Sequence, residues 1–117
     1  MIERMLPTLL VVAAVLAVAY FMFMKGGDVS SAEARQLVAA GARLVDVRTP
    51  GEFGAGHIPG AINIPVQQLG ARMSELQPKD AAVVVYCRSG HRSGIAARML
   101  KSAGFKAVRD LGPMSRW

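Results

Sequence analysis

Cysteine is nearly absent from this chain: among 117 residues there is one, Cys87. A lone cysteine excludes an intramolecular disulfide and a structural zinc site built on several thiolates, so Cys87 is either inert or chemical. Aromatic residues are also sparse, 6% of the chain with a single Trp. The basic residues are scattered, with neither aromatic interleaving nor a known recognition motif among them, which sets nucleic acid aside as a partner. Acidic residues are in the minority. From Asp28 onward twelve Lys or Arg stand against seven Asp or Glu, a net charge of +5 that suits anionic small partners or an anionic membrane surface. No internal repeat or low-complexity segment is present.

Charge itself is missing from Leu6 to Met24, where the chain reads LPTLLVVAAVLAVAYFMFM, whereas charges recur from Lys25 onward. At about 1.5 Å per residue this stretch makes a helix of roughly 28 Å, close to the hydrocarbon thickness of a bilayer. Residues 6–24 are therefore expected to form a transmembrane helix, with the lipid bilayer as a partner and a single-pass location in a bacterial-type inner membrane. A cleaved signal peptide competes, because Ala17-Val18-Ala19 resembles a small-residue cleavage site. Against it, cleavage there would leave Tyr20, Phe21, Met22, Phe23 and Met24 exposed at a new N-terminus. A buried core helix would need more partner surface than a remainder of this size supplies. Lys25 and Arg35 after the span outweigh Arg4 before it by one charge, which favours a cytoplasmic side for the C-terminal part.

Residues 25–28, Lys-Gly-Gly-Asp, form a short linker, and residues 29–117 read as one folded domain. Ser30 and Glu33 stand at capping-box spacing before a helix that Gly41 stops. Arg43 to Val47 is a β-branched run that predicts a strand. Thr49, Pro50 and Glu52 open a short second helix, across whose start Arg48 and Glu52 are expected to pair. His57-Ile58-Pro59-Gly60 predicts a turn, in which His57 is expected to meet a backbone carbonyl. Ala61 to Ile64 predicts a strand and Gln67 to Leu76 a helix. Ala81 to Tyr86 is a continuous apolar run of the kind found in a strand covered on both faces. Ser93 to Ala103 is helical in pattern and Lys106 to Leu111 predicts a last strand. Met73, Met99 and Phe105 fall at core-like positions. This β and α alternation with short links predicts an α/β fold with a small, mostly parallel sheet and helices on both faces.

In such sheets ligands sit beyond the carboxyl ends of the strands, and Cys87 stands at the end of the apolar strand. It is followed by Arg88-Ser89-Gly90-His91-Arg92-Ser93. A loop from Cys87 to Arg92 that enters a helix N-terminus can aim backbone N–H groups inward as a cradle for an anion. The helix dipole, Arg88 and Arg92 then favour negative charge at the loop centre and the thiolate, the nucleophilic form of cysteine. Residue type alone would favour a buried structural cysteine. Two arginines, a histidine, a glycine and two serines close behind it make a poor core and a good anion cradle. Cysteine-dependent phosphatases, and arsenate reductases with them, place an arginine where this chain has Ser93. Here the loop arginine comes one residue earlier, in a tighter ring that suits a single sulfur atom better than a tetrahedral phosphate.

Three segments in this order resemble the rhodanese family: Leu44-Val45-Asp46-Val47-Arg48 with Glu52-Phe53, then Gly56 to Pro65 (GHIPGAINIP), then Tyr86 to Ser93 (YCRSGHRS). The resemblance covers Val29 to Trp117 and implies a rhodanese-like, single-domain sulfurtransferase of the thiosulfate type. On that resemblance, Cys87 attacks the outer sulfur of an anionic donor such as thiosulfate, sulfite leaves, and the persulfide on Cys87 passes its sulfur to cyanide or a thiol. The loop Arg88, Ser89, Gly90, His91 and Arg92 would bind substrate, backbone N–H groups holding the persulfide and the two arginine side chains drawing in the donor. His91 is a donor, a proton shuttle or a solvated loop residue. With no second cysteine in the chain the thiol acceptor is external, and neither cofactor nor metal is implied. Asp46, Arg48, Glu52 and His57 also belong to the family pattern and read as structural. The family's second glycine after the last strand is Pro113 here, and the chain stops at Trp117, so a short or missing final helix and a more open pocket are expected. The alternative from another class is a membrane-tethered persulfide carrier or sensor with little thiosulfate turnover.

Overall fold

The computed structural model describes residues 7–17 and 28–117. Residues 7–17 are helical, and Leu9, Leu10, Val11, Val12, Val15 and Leu16 on this helix are exposed. Among the described residues no helix is long and apolar enough to cross a membrane. The expected span over 6–24 is thus not seen. Its residues 6 and 18–24, and most of the expected linker, lie outside the described residues.

The domain runs α1 (Ser31–Ala39), β1 (Arg43–Asp46), α2 (Pro50–Ala55), β2 (Ile62–Asn63), α3 (Val66–Arg72), β3 (Val83–Cys87), α4 (His91–Ser102) and β4 (Val108–Pro113), with short 3-10 turns at Met73–Leu76 and Met114–Arg116. Local chemistry places most of these boundaries. The Ser30 side chain accepts from the Glu33 N–H at the start of α1. Thr49 and Glu52 complete a reciprocal capping box at α2, with Pro50 in its first turn. The helix expected over Gln67 to Leu76 tightens to 3-10 geometry after Arg72. The last strand begins two residues later than expected and continues to Pro113, and the expected short closing element is the 3-10 turn after it.

The sheet is four-stranded and parallel in order β2-β1-β3-β4. The chain steps outward from β1 to β2, then crosses back to lay β3 on the other side of β1. The order therefore reverses between β1 and β3, and a crevice opens there beyond their carboxyl ends. Strand β3 is fully buried along its length, as its unbroken apolar run predicts. Val83, Val85 and Cys87 face a core closed by Leu69, Ala96 and Leu100, against which Met73 and Met99 pack. Val84 and Tyr86 face the opposite core with Ala34, Leu44 and Leu111. Phe105 is buried, as expected.

Candidate active site at the carboxyl end of the central strand

Cys87 ends β3 and has no exposed surface. The loop after it is shorter than the sequence suggests: only Arg88, Ser89 and Gly90 lie outside regular structure, and α4 begins at His91 rather than Ser93. Gly90 is the N-cap of α4, with φ at 97°. That left-handed conformation, which a side chain rarely adopts, turns the Gly90 N–H back onto Cys87 Sγ at 3.0 Å. The Ser93 N–H, in the first turn of α4, points at the same sulfur from 3.3 Å. Two main-chain donors and the positive end of a helix thus converge on one sulfur atom, an environment that stabilises negative charge there.

Ser93 was not expected to take part, yet it is buried and touches the sulfur twice. Besides its N–H, its Oγ lies 3.5 Å from Sγ. The same hydroxyl stands between two acceptors, the Gly90 carbonyl at 3.1 Å and the Asp110 carboxylate, and its one proton serves either by rotation. The legible signal for Ser93 is its place one turn into the helix that starts the cradle. Asp110 had no such signal. It sits at a β-bulge, where Val85 pairs with Asp110 and Tyr86 with Gly112, and its Oδ1 accepts the Gly112 N–H at 2.8 Å. Burial pushes the Asp110 carboxyl up, while hydrogen bonds from Ser93 and the Gly112 N–H work against that rise.

The loop arginines divide. Arg88 is exposed and lines a cavity of about 300 Å³ with Arg48, Glu52, Gly56 and Met114. Arg92, expected to draw in the donor, is committed elsewhere: its NH1 and NH2 meet Glu52 Oε1 and Oε2 at 2.6 and 3.0 Å. Glu52 is thereby diverted from Arg48, its expected partner, and Arg48 pairs with Asp46. The hydrogen bonds to Arg92 chiefly, with help from the Thr49 N–H, hold the Glu52 carboxyl down at about 2. Ser89 and His91 are exposed at the rim.

The second ion pair braces the floor of the crevice. Arg48 and Asp46 are buried, with Arg48 NH2 at 2.7 Å from Asp46 Oδ2 and also donating to the Gly56 carbonyl at 2.7 Å. Asn63 donates to the carbonyls of Asp46 and Arg48 and so ties this corner to β2. Tyr86 accepts the Ile58 N–H, and burial pushes its phenol up to about 12. His57 Nδ1 lies 2.8 Å from the Phe53 carbonyl, the expected kind of partner, and its ring stacks on Phe53. Among the described residues no group of three or more His, Cys, Asp or Glu stands ready to hold a metal ion.

Residues 30–117 match the model of the rhodanese-like domain. The chain belongs to the rhodanese-like family. Among its relatives, a sulfurtransferase of Allochromatium vinosum is 47% identical over 75 residues, covering 63% of this chain and 69% of that protein. Thiosulfate sulfurtransferase 16 of Arabidopsis thaliana, a chloroplast protein, is 40% identical over 77% of this chain and 85% of its own length. In three dimensions this rhodanese-like domain is similar to the human single-domain sulfurtransferase TSTD1, with a TM-score of 0.64 and 33% identity over 76% of this chain and 89% of that one.

Proposed function

We propose that this rhodanese-like chain is a sulfurtransferase that carries sulfane sulfur as a persulfide on Cys87, with thiosulfate or a similar anion as donor and an external thiol as acceptor. The observation that carries this reading is the convergence of the Gly90 and Ser93 N–H groups on Cys87 Sγ. In the first half-reaction the Cys87 thiolate attacks the outer sulfur of the donor, the donor's S–S bond breaks, and sulfite leaves with the electron pair. The persulfide stays where the backbone donors and the α4 N-terminus stabilise its charge. Arg88, exposed in the loop, attracts the incoming anion, while Arg92 holds α4 against α2 through Glu52. The relatives named as sulfurtransferases support the same chemistry. Mass spectrometry of the full chain after thiosulfate treatment tests it. A reducible gain of one sulfur atom is expected in the parent and not in Cys87→Ser, and no gain in the parent sinks the proposal.

The complete cover over Cys87 favours one alternative, a persulfide carrier that opens only to a partner protein. Faster loading from a protein persulfide than from thiosulfate would establish it. We also propose attachment to a bilayer through residues 6–24, supported by the row of exposed apolar side chains on residues 7–17. The charge balance about that segment favours the cytoplasmic face of a bacterial-type inner membrane for the domain. An alkaline phosphatase fused at the C-terminus should then be inactive, and activity would reverse the orientation.

A further inference from the structure

A cavity of about 340 Å³ adjoins the loop on the side away from Arg88, between α4 and the end of β4. Ser89 of the loop and His91 at the start of α4 lie on one side of it, and Asp110 and the two arginines Arg98 and Arg116 are among its other lining residues. Neither guanidinium has an ion-pair partner among the described residues, whereas Arg48, Arg72 and Arg92 each hold a carboxylate. Asp110 cannot neutralise both. Its carboxylate is turned toward the Gly112 N–H and Ser93, so the cavity keeps a net positive charge. The volume falls in the range of small-molecule pockets and exceeds what a thiosulfate ion needs. Gly90, whose N–H meets Cys87 Sγ at 3.0 Å, is part of the cavity's lining, so a molecule held there is separated from the covered sulfur by the loop backbone alone.

We infer that this cavity is the acceptor's subsite, in which Arg98 and Arg116 hold the carboxylate of a small organic thiol. The inference rests on the sulfur-transfer reading above. Guanidinium forks match carboxylates in two-point hydrogen bonds, which position as well as attract. The chain has no second cysteine, so the acceptor comes from solution and gains most from a dedicated anchor. In the step itself the acceptor thiolate attacks the outer sulfur of the Cys87 persulfide. The bond from that sulfur to Sγ breaks with its electron pair going to Cys87, and the outer sulfur leaves, with any proton it bears, as the acceptor's persulfide. Nothing is oxidised or reduced overall, and the thiolate is restored.

The full chain is loaded with thiosulfate, and the rate of persulfide loss is compared for mercaptosuccinate and neutral 2-mercaptoethanol. In Arg98→Gln and Arg116→Gln the ratio of the two rates should fall about tenfold each, the loss of one charge-assisted contact. Arg98→Lys should recover part of it. Titration with succinate, which has no thiol, should show binding to the parent that weakens by a similar factor in Arg98→Gln. An unchanged rate ratio overturns the inference. So does an equal fall in the rate of loading from thiosulfate, which would make the cavity the donor's. Intact, Arg98-dependent succinate binding in a chain that never takes up sulfur would uphold the carboxylate site and sink the sulfur-transfer reading instead.

Discussion

Asp46–Arg48 and Glu52–Arg92 begin within a few residues of each other, yet one pair is sealed beneath the crevice and the other stays partly open beside the loop. In the first, the side chains are 0% and 6% exposed, and Arg48 also holds the Gly56 carbonyl. In the second both side chains are 27% exposed, and the pair joins two elements 40 residues apart. Taking charges out of water is costly, so a sealed pair must be complete: removing one member strands the other. A half-exposed pair lets water replace a lost partner, so its contribution to stability is small and its effect is on position. The first pair belongs to the fold and the second to the placement of α4 over Cys87.

Arg48→Ala should separate the two most sharply. It strands a buried carboxylate and is expected to cost about 3 kcal/mol or more, read as a fall in the urea midpoint. A change below about 1 kcal/mol would show that water reaches Asp46, and the contrast would collapse. Next comes Gly90→Ala, which leaves both pairs intact but forces a side chain into the left-handed conformation that aims an N–H at Sγ. A cost of about 1 to 2 kcal/mol is expected, with a persulfide-loading rate that falls by more than the population of folded protein does. Unchanged loading would mean that the Gly90 N–H does not serve the sulfur.

Glu52→Gln should have the smallest effect on stability and a visible one on loading rate, because α4 loses its brace to α2. Its pH dependence sharpens the point. The Glu52 carboxyl is held at about 2 against an ordinary 4.5, so the pair's contribution is fully present above pH 4.5 and is lost as the pH falls toward 2. Thermal midpoints of the parent and Glu52→Gln should therefore converge across that window. Curves that stay parallel would show that the pair adds nothing to stability.

Much of this molecule is local and was legible as such. The caps at Ser30 and Thr49 act within three residues, and the apolar run before Cys87 reads as a strand covered on both faces, which it is. The position of Cys87 at that strand's end, followed by glycine and a helix, is what suggests an anion cradle, and the Gly90 and Ser93 N–H groups do meet its sulfur. Local reasoning misled where a helical pair was assumed. Arg48 and Glu52 stand at the spacing of a helical pair, but Arg48 precedes α2 and folds back onto Asp46 two residues before it. The expected span over residues 6–24 rests on an uncharged run, and among the described residues no helix is long and apolar enough to cross a membrane.

The sequence by itself determined the order of elements, the apolar character of β3 and the place of the one cysteine, because each is written in the residue types of a short stretch of chain. Tertiary structure alone decided that Glu52 meets Arg92, that Asp110 stands behind Ser93, and that Arg98 and Arg116 share a cavity. The physical reason is the parallel sheet. Its crossovers bring the carboxyl ends of β1, β3 and β4 side by side, and only then do side chains from distant segments come within reach of one another.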